Sequence, residues 1–110
     1  MLSQETKETL DESYMDHVRS TAQDVAFSIE KDIDYQVSKF GAQRTDVFNW
    51  IAIITEEFGE TVQHFLKKEY DQSIAEAKQT IACLSRMITE IEREQSGTAQ
   101  READLYERAK

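Results

Sequence analysis

Trp50-Ile51-Ala52-Ile53-Ile54-Thr55-Glu56-Glu57-Phe58-Gly59-Glu60 is the stretch on which the fold turns. Its apolar residues, continued by Val47, Phe48, Val62 and Phe65, recur at helical spacing and cover much of the circumference of a helix predicted from about 46 to about 68. Such a helix reads as central and well covered. Within it, Glu57 and Glu60 stand three residues apart, on one face at about 100° and about 1.5 Å per residue. Carboxylates are seldom buried without a compensating partner. Two so close together ask for positive charge between them, and a hard divalent cation such as Mg²⁺, which prefers oxygen donors, supplies it.

The flanking sequence extends the same periodicity. From about residue 4 to about residue 40, Leu10, Tyr14, Val18, Ala22, Val25, Ile29, Ile33, Val37 and Phe40 form one apolar stripe. An unbroken helix there would be about 55 Å long, so the chain either breaks, with Ser20-Thr21 the favoured place, or projects far enough to need a partner. Gly41 is placed as a C-terminal cap, and Thr45 or Asp46 as the next N-cap. After Tyr70, Asp71 is placed to cap a third helix over about 72 to 95, with Ile74, Ala77, Ile81, Leu84, Ile88 and Ile91 as its stripe. The short connection predicts that helices two and three form an antiparallel hairpin. Thr98 is placed to cap a last short helix. The hairpin turns near Tyr70, roughly ten residues after Glu60 and about six before Glu76, so Glu76 and Gln79 of helix three come level with Glu57 and Glu60 across one site if the loop takes up a few residues.

These features describe a single all-α domain: an N-terminal helical segment over 1–36, a helical hairpin over 46–95 holding the carboxylates, and a short C-terminal helix or tail over 98–110. Among its 110 residues there is no proline and there are three glycines, which favours helix. Apolar stripes on three long helices exceed what one thin monomer covers, and predict a helical bundle completed by self-association as a homodimer or homotetramer. A net charge of -9 argues against nucleic-acid polymers and anionic membranes, both of which select basic surfaces. The lone Cys83, in an apolar run, reads as a buried structural thiol in a reducing cytoplasm. No signal or membrane-spanning pattern is expected. His17 and His64 do not follow a glutamate by three, since Tyr14 and Thr61 occupy those positions, so the Glu-x-x-His pattern of di-iron bundles is not formed.

The carboxylate pattern resembles that of the MazG-like, all-α nucleoside triphosphate pyrophosphohydrolase superfamily, whose signature is E-x-x-E followed by E-x-x-D. Glu57-Phe58-Gly59-Glu60 matches the first half, and fifteen residues separate Glu60 from Glu76. Lys39-Phe40-Gly41-Ala42-Gln43 looks like the K-W-G-x-Q segment of some branches, and Trp50 to Glu57 looks like their W-L-A-I-L-x-E-E. The resemblance covers about residues 37 to 92. It departs at Gln79, where a neutral carbonyl oxygen replaces the final carboxylate and lowers the charge of the site by one unit.

The resemblance implies hydrolysis of a nucleoside or deoxynucleoside triphosphate between its α and β phosphates. Mg²⁺, or Mn²⁺, would be held by Glu57, Glu60, Glu76 and Gln79, with Glu56, Glu57 and Glu60 as the catalytic carboxylates and Glu56 orienting or deprotonating the attacking water. Lys39, Arg44, Lys67, Lys68 and Lys78 are the basic groups that would reach the phosphates, and Trp50 or Phe40 would cover the base. The expectation from another class is a catalytically silent, nucleotide-binding or purely helical interaction protein on the same scaffold. A coiled-coil adaptor fits less well, because the apolar spacing is not a sustained heptad with charged flanks.

Overall fold

The structure, a computed structural model, describes residues 1–40 and 44–109, and the side chains of all of these except residues 39 and 40. The cap expected at Gly41 and the roles expected of Lys39, Phe40 and Gln43 lie outside the described residues. Four α-helices carry the fold: α1 Gln4–Phe40, α2 Val47–Leu66, α3 Tyr70–Gln95 and α4 Thr98–Arg108. No strand occurs among the described residues. The chain is all-α, and no helix is long and apolar enough to cross a membrane among the described residues.

α1 runs unbroken for 37 residues, so the break expected near Ser20-Thr21 does not occur. Nothing in its sequence would end it, since it contains neither glycine nor proline. Ser3 caps its start by accepting a hydrogen bond from the Thr6 N–H at 3.1 Å. Pairs one turn apart, Gln4 with Glu8 and Asp16 with Arg19, add local support. The long helix draws the molecule out to 72 Å and gives it a radius of gyration of 19.3 Å, against about 13 Å for a compact chain of this size. Residues 4–24 are all exposed, and burial starts at Val25 and culminates at Ile29.

α2 and α3 form the antiparallel hairpin. Asp46 caps α2, accepting from the Asn49 N–H at 2.8 Å, while the Asn49 side chain donates to the Thr45 hydroxyl. The turn closes through Lys68, whose φ of 61° is left-handed, and through the Glu69 N–H donating to the His64 carbonyl. α3 begins at Tyr70, so Asp71 lies in its first turn instead of capping it, and the N-cap Glu69 makes no side-chain cap bond. The Glu69 carboxylate turns instead to His64 Nδ1, 3.3 Å away. Gly97, with φ 73°, takes the cap position of α4 that Thr98 was expected to hold. Only glycine adopts that conformation without steric cost.

Trp50, Ala82, Cys83 and Ile29 are the buried apolar residues. They mark where α2 packs on α3 and where the C-terminal half of α1 crosses α3. Ser73 and Thr80, also buried, satisfy their hydroxyls on the backbone, Ser73 across the hairpin to the Thr61 carbonyl at 2.8 Å and Thr80 within its helix to Glu76. α4 docks by charge: the Glu102 carboxylate accepts from Arg93 of α3 and from Arg44, before α2, at 2.8 Å. α2 is not covered all round. α1 touches α3 and not α2 among the described residues, so Ile51, Phe58, Val62 and Phe65 remain exposed.

Candidate metal centre

Helical geometry carries the site. Trp50 and Glu57 on α2, and Glu76 and Cys83 on α3, are seven residues apart in each helix, close to two full turns. Each pair therefore shares one side of its helix, and the two sides meet in the hairpin seam. Glu57, Glu60 and Glu76 converge there, with one carboxylate oxygen from each lying within 4.8 Å of the others. All three are half-buried. Below them the Ser73–Thr61 hydrogen bond ties the two helices, and above them lie Cys83 and Trp50.

Three carboxylates in that space repel, and their protonation records it. The Glu57 carboxyl is pushed up from 4.5 to about 7. The chief cause is Glu76, close enough to share a hydrogen bond that requires a proton, followed by desolvation and by the charges of Glu76, Glu60 and Glu56. Glu60 is also raised, first by the charge of Glu76 and then by burial and a hydrogen bond to it, while His64 pulls the other way. The Cys83 thiol is pushed up mainly by burial and further by Glu57, and Arg86 opposes the shift.

An oxygen-only donor set of this charge suits a hard divalent cation, which would replace the shared proton and relieve the repulsion. The triad fits Mg²⁺ or Mn²⁺ on that chemistry. Of the other residues expected here, Glu56 is exposed beside the triad and adds its charge to Glu57 and Glu60. Gln79 borders a groove between α3 and α1 together with Ser28, Lys31 and Asp32. Lys78 borders that same groove, on a bearing about 200° round α3 from Glu76.

Arg44 is held by Glu102, and Lys67 is the exposed C-cap of α2. Trp50 is 8% exposed, with the Arg86 guanidinium 5.5 Å over its ring. It is core in this structure and presents no open face to a base.

Arg86 was not among the basic residues singled out from the sequence. Its guanidinium donates to the Gln36 side chain of α1 at 3.3 Å, covers Trp50 and acts on Cys83 in opposition to Glu57. It is thus the cation placed at the upper end of the acidic seam. The signal was available in its position three residues past Cys83, one turn along the face that carries Glu76.

Compared with known proteins, the chain has no match: no family model, no curated protein and no solved structure matches it.

Proposed function

We propose that this protein is a Mg²⁺-dependent nucleoside triphosphate pyrophosphohydrolase of the MazG-like kind, acting in the cytoplasm. The observation that carries this reading is the convergence of Glu57, Glu60 and Glu76 within 4.8 Å on facing helices, at the positions where the resemblance expects metal ligands. The reaction adds water across the bond between the α phosphorus and the bridging oxygen, releasing nucleoside monophosphate and pyrophosphate.

Glu57, Glu60 and Glu76 would hold the cation, which when bound would neutralise the polyphosphate and stabilise the negative charge building up on the oxygens around the α phosphorus and on the departing pyrophosphate. Glu56, exposed beside them, accepts the proton of the attacking water. Lys67, two turns beyond Glu60 on nearly the same bearing of α2, offers a cation to the outer phosphates from the hairpin tip. Half-burial of the triad limits water around the carboxylates and strengthens each charge interaction.

Incubation with a panel of NTPs and dNTPs and Mg²⁺ should release pyrophosphate and monophosphate in equal amounts, with no release when the cation is chelated. Absence of pyrophosphate from every member of the panel would exclude the enzyme. The silent, nucleotide-binding alternative has two points in its favour: Gln79 offers a neutral oxygen where the resemblance expects a carboxylate, and Arg44 is engaged by Glu102. Calorimetry separates a silent nucleotide binder, which would show Mg²⁺-dependent heat without turnover, from a helical scaffold, which would show none.

A further inference from the structure

The projecting part of α1 is the surface that the carboxylate site does not use. Residues 4–24 are all exposed, and they lie outside the stretch of about 37 to 92 that carries the resemblance. An open groove of about 880 Å³ begins on this arm and follows α1 down to α3. Tyr14, Val18, Ala22, Val25, Ile29 and Ile33 form its floor at steps of three and four, and Ile81 and Ser85 of α3 add a wall. From Tyr14 to Ile33 the floor is about 29 Å long, which is the length of a helix of about 20 residues. The groove has the spacing and reach of a seat for one more helix.

Charge selects the kind of helix. Between residues 4 and 34 the chain carries nine acids and three bases, so two thirds of the net charge of -9 sits on this segment. Five of those acids, Glu5, Glu12, Asp16, Glu30 and Asp34, fall in a band about 40° wide along one flank of the floor, and Glu30 and Asp34 line the groove itself. Arg19 answers Asp16 at 3.1 Å. Lys31 turns away to the back of the helix, 4.6 Å from the centre of the Phe27 ring.

We infer that the groove seats a basic amphipathic helix of another protein, with its apolar face on the floor and its Lys and Arg side chains along the row of acids. Charges flanking an apolar seam set which helices pair. A second copy of α1 is the poorer occupant. Antiparallel two-fold pairing sets the row of acids against its own equivalent, and in either direction two segments with six surplus acids each repel. An anionic membrane surface is refused on the same ground. Neither the glutamate triad nor nucleotide hydrolysis enters this inference.

Fluorescence anisotropy on the full chain at physiological ionic strength tests it, with a labelled synthetic helical peptide of about 20 residues carrying a Leu stripe flanked by Lys. The peptide should bind with a dissociation constant in the micromolar range. The same peptide with Glu in place of Lys, and one of identical composition with the stripe scrambled, should bind at least about 10-fold more weakly. Val18→Glu, on the exposed arm, should weaken binding by about 10-fold or more with helical circular dichroism unchanged, whereas Leu105→Glu on α4 should leave binding as it was. Should Val18→Glu lose its helical signal, Tyr14→Lys, at a position 66% exposed, takes its place. Glu12→Lys combined with Glu30→Lys should turn the preference toward the Glu-flanked peptide. Undiminished binding by the scrambled peptide or by Val18→Glu marks general attraction to an acidic chain and overturns the proposal, as does no binding at all. A peptide-free chain that self-associates, and stops doing so in Val18→Glu, gives the groove to a second copy and overturns it equally.

Discussion

Glu76→Gln should abolish Mg²⁺-dependent pyrophosphate release while making the cation-free protein more stable at neutral pH. The two effects have one origin. Glu76 is the main reason that Glu57 holds its proton up to about 7, so a neutral amide removes the repulsion and lets Glu57 ionise closer to 4.5. The folded state should gain about 1–2 kcal/mol once solvent screening of a half-exposed group is allowed for. The same change removes a charged oxygen donor from the cation and should lower turnover at least about 100-fold, on the scale of about 3 kcal/mol of transition-state stabilisation. Thermal melts in chelator and a pyrophosphate assay check the two halves. An acid on a solvated helix face would give neither effect, and loss of turnover through misfolding would lower the melting temperature instead of raising it.

Without divalent cations the protein should lose stability as pH rises through neutrality, and Mg²⁺ should restore it. The folded-state carboxyl of Glu57 titrates near 7, against 4.5 as its ordinary value. Between those values the folded state binds a proton that the unfolded state has released, so stability falls with rising pH across that window. Glu60 is shifted in the same direction. A cation needs the deprotonated carboxylates, so its stabilisation grows over the same range. Differential scanning fluorimetry should show a lower melting temperature at about pH 8 than at about pH 5.5 in chelator. Mg²⁺ should raise the melting temperature at the higher pH and barely at the lower. Because net charge of -9 adds a general loss of stability with pH, Glu76→Gln serves as control: its melting temperature should vary less. A pH-independent melt, or equal Mg²⁺ shifts at both values, would contradict the repulsive triad.

The helices were legible in the chain because their punctuation is local. Asp46, the three-and-four spacing of α2 and α3, and the break at Ser96-Gly97 each act within a few residues, and all appear where expected. The meeting of Glu57, Glu60 and Glu76 was legible only in part: counting to a turn at Tyr70 leaves them a few residues out of level, and the turn at Lys68 brings them together. Bearings among three helices were not. Spacing shows that Gln79 lies near the face of Glu76, but only the position of α1 shows that Gln79 borders the α1–α3 groove. Trp50 looks the same in sequence whether it packs under Arg86 or lies open to a base.

α1 runs unbroken through Ser20-Thr21 because compactness is a property of whole chains and acts on no single residue of the helix. With no residue to stop it, the helix continued past the end of its support. The exposed stripe on α2 follows from the same cause, since α1 packs on α3 and leaves that side of α2 bare.

The most direct test of the metal centre is an anomalous difference map at the manganese edge, from crystals of the full chain grown with Mn²⁺. A single peak within about 2.5 Å of carboxylate oxygens from Glu57, Glu60 and Glu76 is the expected result. A map with no peak there, or with Mn²⁺ only on acidic side chains elsewhere, would contradict the assignment of these three glutamates as the metal centre.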